Sequence, residues 1–379
     1  MNPHNQHPSR RRFLKATLAG TTAAALAGPD TRVRQAARAA EAPKKAKACI
    51  LLWMSGGPSQ LDTVDPKPDA PAEIRGEFKA INTTAKGVQL CEHLPNLAKQ
   101  ADKLAIIRSM KTVDAGHTGG MIHMLTGFAP DPLGAIMYPW MGSVVAKYNG
   151  DPKSELPGCV SFGGLKGFEH PGEGFLGPAY QPLRLASHDA AEGKVKIACD
   201  IDAEWKKLGT VYGDSDLGRN CLAARQLVER GVPFVQVTHG GYDGHARIFE
   251  LMKGRLAELD PAWSGLIADL KDRGLLDSTL VVWMGEFGRT PRINANSGRD
   301  HWAWGWSVVL AGGKVKGGVT YGSTDKTGQT IDANPVSEGD QLATIYTALG
   351  IDPKATNMAG TQAIPLTPEG SQPIKELVG

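Results

Sequence analysis

"CLAARQLVERGVPFVQVTHGGYDGH" occupies Cys221–His245. An amphipathic helical stretch stops at Gly231, and a short apolar run, Val232–Val237, follows at once. Helix, glycine stop and buried strand in one breath is the signature of an α/β chain with a mostly parallel sheet. The run ends in His239, then a glycine pair, then Asp243 and His245. In an open parallel sheet ligands sit beyond the carboxyl ends of strands, so those polar residues become site candidates.

Working outward, the same grammar repeats. "KACILLWM" (Lys47–Met54), "KLAIIRSM" (Lys103–Met110), "STLVVWMG" (Ser278–Gly285) and "GWSVVLAGG" (Gly305–Gly313) read as further buried strands. Helices are expected over "HTGGMIHMLTG", over Ala246–Gly274 with a break near Pro261, and over Asp340–Ile351. Gly150–Asp200 is rich in Gly and Pro and lacks periodicity, so it reads as a long insertion or cap. Residues 43–379 are expected to form one domain.

Polar residues follow strand after strand. Asp62 comes after the first, His117 and Thr118 after the second, Asp243 and His245 after the middle one, and Glu286 and Arg289 after "STLVVWM". Asp300 and His301 precede the last strand. Imidazole with carboxylate suits zinc, manganese or iron, and carboxylate alone suits magnesium or calcium. Each piece has a plain alternative: a turn cap for Asp62, an ion pair with Arg289 or Arg292 for Glu286, an Arg299 pair for Asp300, packing for Trp302, Trp304 and Trp306. Their joint placement at strand ends is what favours a site.

Two resemblances follow from these residues. "SRRRFLKATLAGTTAAALAG", from Ser9, resembles a twin-arginine export signal, which implies a leader over residues 1–42, passage through the twin-arginine translocase, and a periplasmic or cell-envelope protein. Its apolar part is too short for a membrane span. "LLWMSGGPSQLDTVDPKPDAP", "YDGHARIF" and "VVWMGEFGRTPRIN…GRDHW" resemble a bacterial family of exported, sulfatase-like proteins within the alkaline phosphatase and sulfatase superfamily. That resemblance implies an alkaline-phosphatase-like sandwich, one or two divalent metal ions, and hydrolysis of a small-molecule or glycan phosphate or sulfate ester.

By position, Asp243, His245 and His301 resemble one metal set, with Asp300 beside it, while Asp62 and Glu286 resemble holders of a second ion. Thr118 is the candidate nucleophile, His117 a ligand or base, and Arg289 an oxyanion stabiliser. Phe287 stands where the superfamily has histidine, and a Cys/Ser-x-Pro-x-Arg signature is absent. The alternative is a non-catalytic envelope protein that binds glycans or other anionic ligands.

Composition narrows the field. The first forty residues carry seven of the 42 Lys/Arg and one of the 39 Asp/Glu, so the remainder has 35 basic and 38 acidic residues. This balance argues against a nucleic-acid partner. Five cysteines without a CxxC pair allow at most two disulfides and read mainly as buried filler.

Overall fold

The computed structural model describes residues 46–164 and 172–379. The expected twin-arginine leader, residues 1–42, lies outside them. Among the described residues, eight strands form one sheet: β1 (Ala48–Met54), β2 (Leu104–Lys111), β3 (Cys159–Phe162), β4 (Leu183–Leu185), β5 (Phe234–His239), β6 (Thr279–Met284), β7 (Trp304–Gly312) and β8 (Val319–Tyr321). Their spatial order is β8-β2-β7-β6-β1-β5-β3-β4. Every neighbouring pair is parallel except the two that involve β7, which runs antiparallel to both β2 and β6. The expected α/β class and mostly parallel sheet are observed. The direction of β7 is new, because an apolar run carries no polarity.

All seven residues of β1 are buried. Successive strand residues point to opposite faces, so a strand covered on both sides must be apolar throughout. Ile50, Leu52 and Met54 join one core, and Cys49, Leu51 and Trp53 join the other. Helices α3 (Asp202–Tyr212), α4 (Asp216–Glu229) and α5 (Ile248–Asp272) supply the first core through Tyr212, Leu222 and Leu259. Helices α1 (His117–Thr126), α2 (Met141–Asn149) and α6 (Glu338–Ala348) supply the second through Met124, Val145 and Ile345. The architecture is a helix–sheet–helix sandwich. Each fully buried aliphatic side chain in it contributes about 1.5–3 kcal/mol.

Two expectations change, and the reading of the cysteines as buried filler holds. Helix α5 runs unbroken through Pro261. Leu256, Leu259, Ala262, Trp263 and Leu266 are buried on both sides of the proline, and this packing outweighs one lost backbone bond. The Gly150–Asp200 stretch is no separate cap, since β3 and β4 within it extend the main sheet. The five cysteines are buried and free, with no disulfide. Burial pushes the thiols of Cys49, Cys159 and Cys221 well up, as inert filler requires. Among the described residues, no helix is long and apolar enough to cross a membrane.

Candidate metal centre

Parallel strands β1, β2, β5 and β6 all end at one edge of the sheet, and antiparallel β7 begins there. Loops far apart in number therefore converge. A two-stranded ribbon pairs Gly288–Arg289 with His301–Trp302 and ties the loop after β6 to the start of β7. The loops carrying His245 and Asp300 are joined by Arg299 N–H donating to the Gly244 carbonyl (2.9 Å) and Arg247 N–H to the Asn296 carbonyl (3.0 Å). Gly56 and Gly57, after β1, both have positive φ. A Cβ on Gly56 would meet the Asp243 nitrogen at 2.5 Å, so this turn passes beneath Asp243 only as glycine.

Asp243 is the hub. His301 Nε2 lies 3.2 Å and His245 Nε2 3.0 Å from its Oδ1, and His117 Nε2 lies 3.4 Å from its Oδ2. Each imidazole is fixed from behind. His301 Nδ1 meets the Ala115 carbonyl at 2.6 Å, His117 Nδ1 meets Glu286 Oε1 at 2.8 Å, and His245 Nδ1 meets Asp300 Oδ1 at 2.8 Å. A carbonyl or carboxylate only accepts, so each Nδ1 donates, and a neutral ring then presents a lone pair on Nε2. His245 Nε2 and His301 Nε2 face each other at 3.0 Å beside the Asp243 carboxylate. Lone pairs directed at one another and at an anion repel unless a cation, a proton or a metal ion, lies among them. Imidazoles whose far nitrogen donates to a carboxylate or carbonyl are the usual setting for metal ligation. Among the described residues, His117, Asp243 and His301 offer ligand atoms that all lie within 4.8 Å of one another. The donor set fits a divalent ion.

The electrostatics separate neighbouring groups. Burial pushes the Asp243 carboxyl up, but the hydrogen bond and charge of Arg289 outweigh it and, with the His301 bond, hold it at about 2. The bond to Glu286 raises His117, whereas burial lowers His301. Asp243 and His245 are about half exposed, so the hub opens to solvent.

The remaining candidates divide. Glu286 joins the cluster from behind through His117 and accepts from Gly56 N–H at 2.8 Å, and its Oε2 has no partner among the described residues. Asp300 also stands behind the cluster, holding His245. Arg289 differs from the expected oxyanion stabiliser: it is fully buried and donates to Asp243 Oδ1 (2.5 Å) and to the carbonyls of Gly56, Gly57 and Arg299. A buried guanidinium so engaged anchors loops and has no face for a substrate. Asp62 is not joined to the cluster. Its carboxylate is buried against Arg299 (2.8 Å) and accepts from the Ser59 hydroxyl (2.5 Å). Thr118 is exposed in the first turn of α1, and its hydroxyl has no hydrogen-bond partner among the described residues. Phe287 offers no ligand and packs its ring against His301, with centroids 4.3 Å apart. Trp306 is buried, but Trp304 is 58% exposed, so core packing does not hold for that tryptophan.

Sequence reasoning missed the roles of Gly56, Arg299 and the Ala115 carbonyl. The "SGGP" turn was the available signal for Gly56, whereas backbone acceptors leave none.

The chain matches the family described as "Protein of unknown function (DUF1501)" over residues 46–196 and 188–378. No curated protein matches it in sequence. Solved structures similar to it include the lipoteichoic acid synthase LtaP from Listeria monocytogenes, 12% identical, covering 88% of this chain and 76% of that one at a TM-score of 0.46. The phosphonate monoester hydrolase SpPMH from Silicibacter pomeroyi is 13% identical over 87% and 76%, at 0.43. A protein in the alkaline phosphatase superfamily from Vibrio parahaemolyticus is 13% identical over 83% and 69%, at 0.41. Likeness at this level carries no argument about activity.

Proposed function

The chain belongs to the DUF1501 family, and we propose that it is a metal-dependent hydrolase of phosphate or sulfate esters that works in the cell envelope. The observation that carries this is the 3.0 Å approach of His245 Nε2 and His301 Nε2 at the Asp243 carboxylate. Asp243, His301 and His117 would hold the ion, with His245 at the open side. Imidazole donors favour zinc over magnesium or calcium, and the carboxylate among them also suits manganese. Bound, the ion supplies Lewis acidity toward a phosphoryl or sulfuryl oxygen.

The chain's own residues do the rest. Glu286 and Asp300 fix two imidazoles in the tautomer that presents Nε2, and Arg289 keeps the Asp243 carboxylate ionised and in place. Thr118, exposed in the first turn of α1 beside His117, is the proposed attacking hydroxyl, and the positive helix end favours its anionic form. An anionic ester is the substrate class because the site opens to solvent and pairs an ion with a helix amino terminus.

Elemental analysis of the purified chain, followed by a screen of aryl phosphate and sulfate esters, tests this. Zinc or manganese with ester turnover that a chelator abolishes is expected. Protein that folds without any tightly held ion sinks the proposal. The buried state of Arg289 favours a second reading, a non-catalytic metal-dependent binder of anionic glycans, which the screen would reveal as metal without turnover.

A further inference from the structure

We propose that the centre takes one divalent ion per chain, and that the buried Arg299 guanidinium supplies the positive charge a second ion would bring to Asp62. The proposal rests on the metal-centre reading above.

Asp62 and Arg299 are both fully buried side chains. Arg299 Nε meets Asp62 Oδ2 at 2.8 Å and Nη2 meets Oδ1 at 3.3 Å, a two-point grip on both oxygens. The Ser59 hydroxyl takes a further lone pair of Oδ2. Arg299 is held in turn by the carbonyls of Ile74 (2.8 Å), Thr290 (3.2 Å) and Pro291. A buried carboxylate gripped this way has its charge compensated and its lone pairs directed at donors, so it is not a ligand awaiting an ion.

Charge balance points the same way. The buried acids Asp62 and Glu286 are matched by the buried cations Arg289 and Arg299. The half-exposed Asp243 and Asp300 remain, and an imidazole that ligates an ion through Nε2 does so in its neutral form. A net charge of about −2 is closed by one divalent ion, whereas two ions would leave positive charge uncompensated at the centre. Glu286 Oε1 is already engaged by Gly56 and His117, and one remaining oxygen does not build a second site when Phe287 beside it offers no ligand atom.

The test strips the full chain of metal and titrates it with Mn²⁺, reading ions per chain by equilibrium dialysis with elemental analysis, and the spin-coupling state by electron paramagnetic resonance. Saturation at one ion with a six-line uncoupled spectrum is expected, and the same count in the Asp62→Asn/Arg299→Gln pair, which removes both charges together. Two ions per chain, coupled in the spectrum, overturn the single-ion proposal while leaving the metal centre itself standing. No bound ion overturns the reading beneath it instead. The wild-type count decides alone if the double variant fails to fold.

Discussion

Two clusters of charged side chains stand on this sandwich, and they are built on opposite principles. On the α3–α4–α5 face, Arg225 and Arg273 meet Glu204, Glu229 and Asp269. Arg225 Nε lies 2.9 Å and Arg273 Nε 2.8 Å from Asp269, and the Tyr212 hydroxyl donates to Asp269 at 2.8 Å. Donor faces acceptor throughout, so the cluster is complete in itself. At the sheet edge, by contrast, three imidazoles converge on one carboxylate, and two of their nitrogens confront each other. Complementary charge signals structure, and acceptor against acceptor signals a missing cation. Counting charged residues would not separate the two clusters, because the direction of each hydrogen bond does.

The comparison breaks first at His301. His301→Ala should empty the centre and lower ester turnover roughly 10³-fold, about 4 kcal/mol of lost charge stabilisation. Bound metal and turnover measured on the same preparation check this, and wild-type metal content in the variant would end the argument. The opposite cluster should respond only in stability. Asp269→Ala leaves the fully buried Arg225 short of a partner and should cost about 3 kcal/mol in chemical denaturation. Its metal content should stay at the wild-type level. Metal loss in that variant, with the fold intact, would erase the distinction between the clusters.

The same contrast explains what the sequence made legible. Strands β1, β2, β5, β6 and β7 are largely apolar runs, readable because burial on both faces leaves little room for polar residues. Strands β3 and β4 were unreadable, since they are short elements at one end of the sheet in a Gly/Pro-rich stretch with no period to detect. The clustering of Asp243, His117 and His301 was half legible: parallel strands put their ends together, but only the antiparallel course of β7 brings His301 to that edge. Asp62 against Arg299 is a pairing across 237 positions between two ordinary charged residues. Nothing local distinguishes such a carboxylate from a metal ligand until the guanidinium is seen on it.

A sharper test lies behind the ligands. Glu286→Gln keeps an acceptor for His117 Nδ1 but removes the charge that makes the imidazole a strong donor to an ion. Metal affinity should fall about 10- to 100-fold, measured by competition with a chromogenic chelator. Glu204→Gln, in the opposite cluster, should leave it unchanged. Equal effects from the two substitutions would mean that Glu286 acts only through general stability.

The smallest effect concerns acid. The Asp243 carboxyl is lowered from the usual 3.8 to about 2 in the folded chain. A group with a depressed folded pKa adds stability that is fully present above its unfolded pKa and is lost as pH falls through the folded one. In metal-free protein the stability gap between wild type and Asp243→Asn should therefore be constant above about pH 5 and shrink from pH 4 toward pH 2. Asp243 is 46% exposed, so screening reduces the contribution to roughly 1 kcal/mol. Chemical denaturation of both proteins across that range reads the gap directly. A gap that stays flat down to pH 2 would mean that Arg289 does not hold Asp243 ionised, and the hub would lose the anchor that keeps its carboxylate ready for an ion.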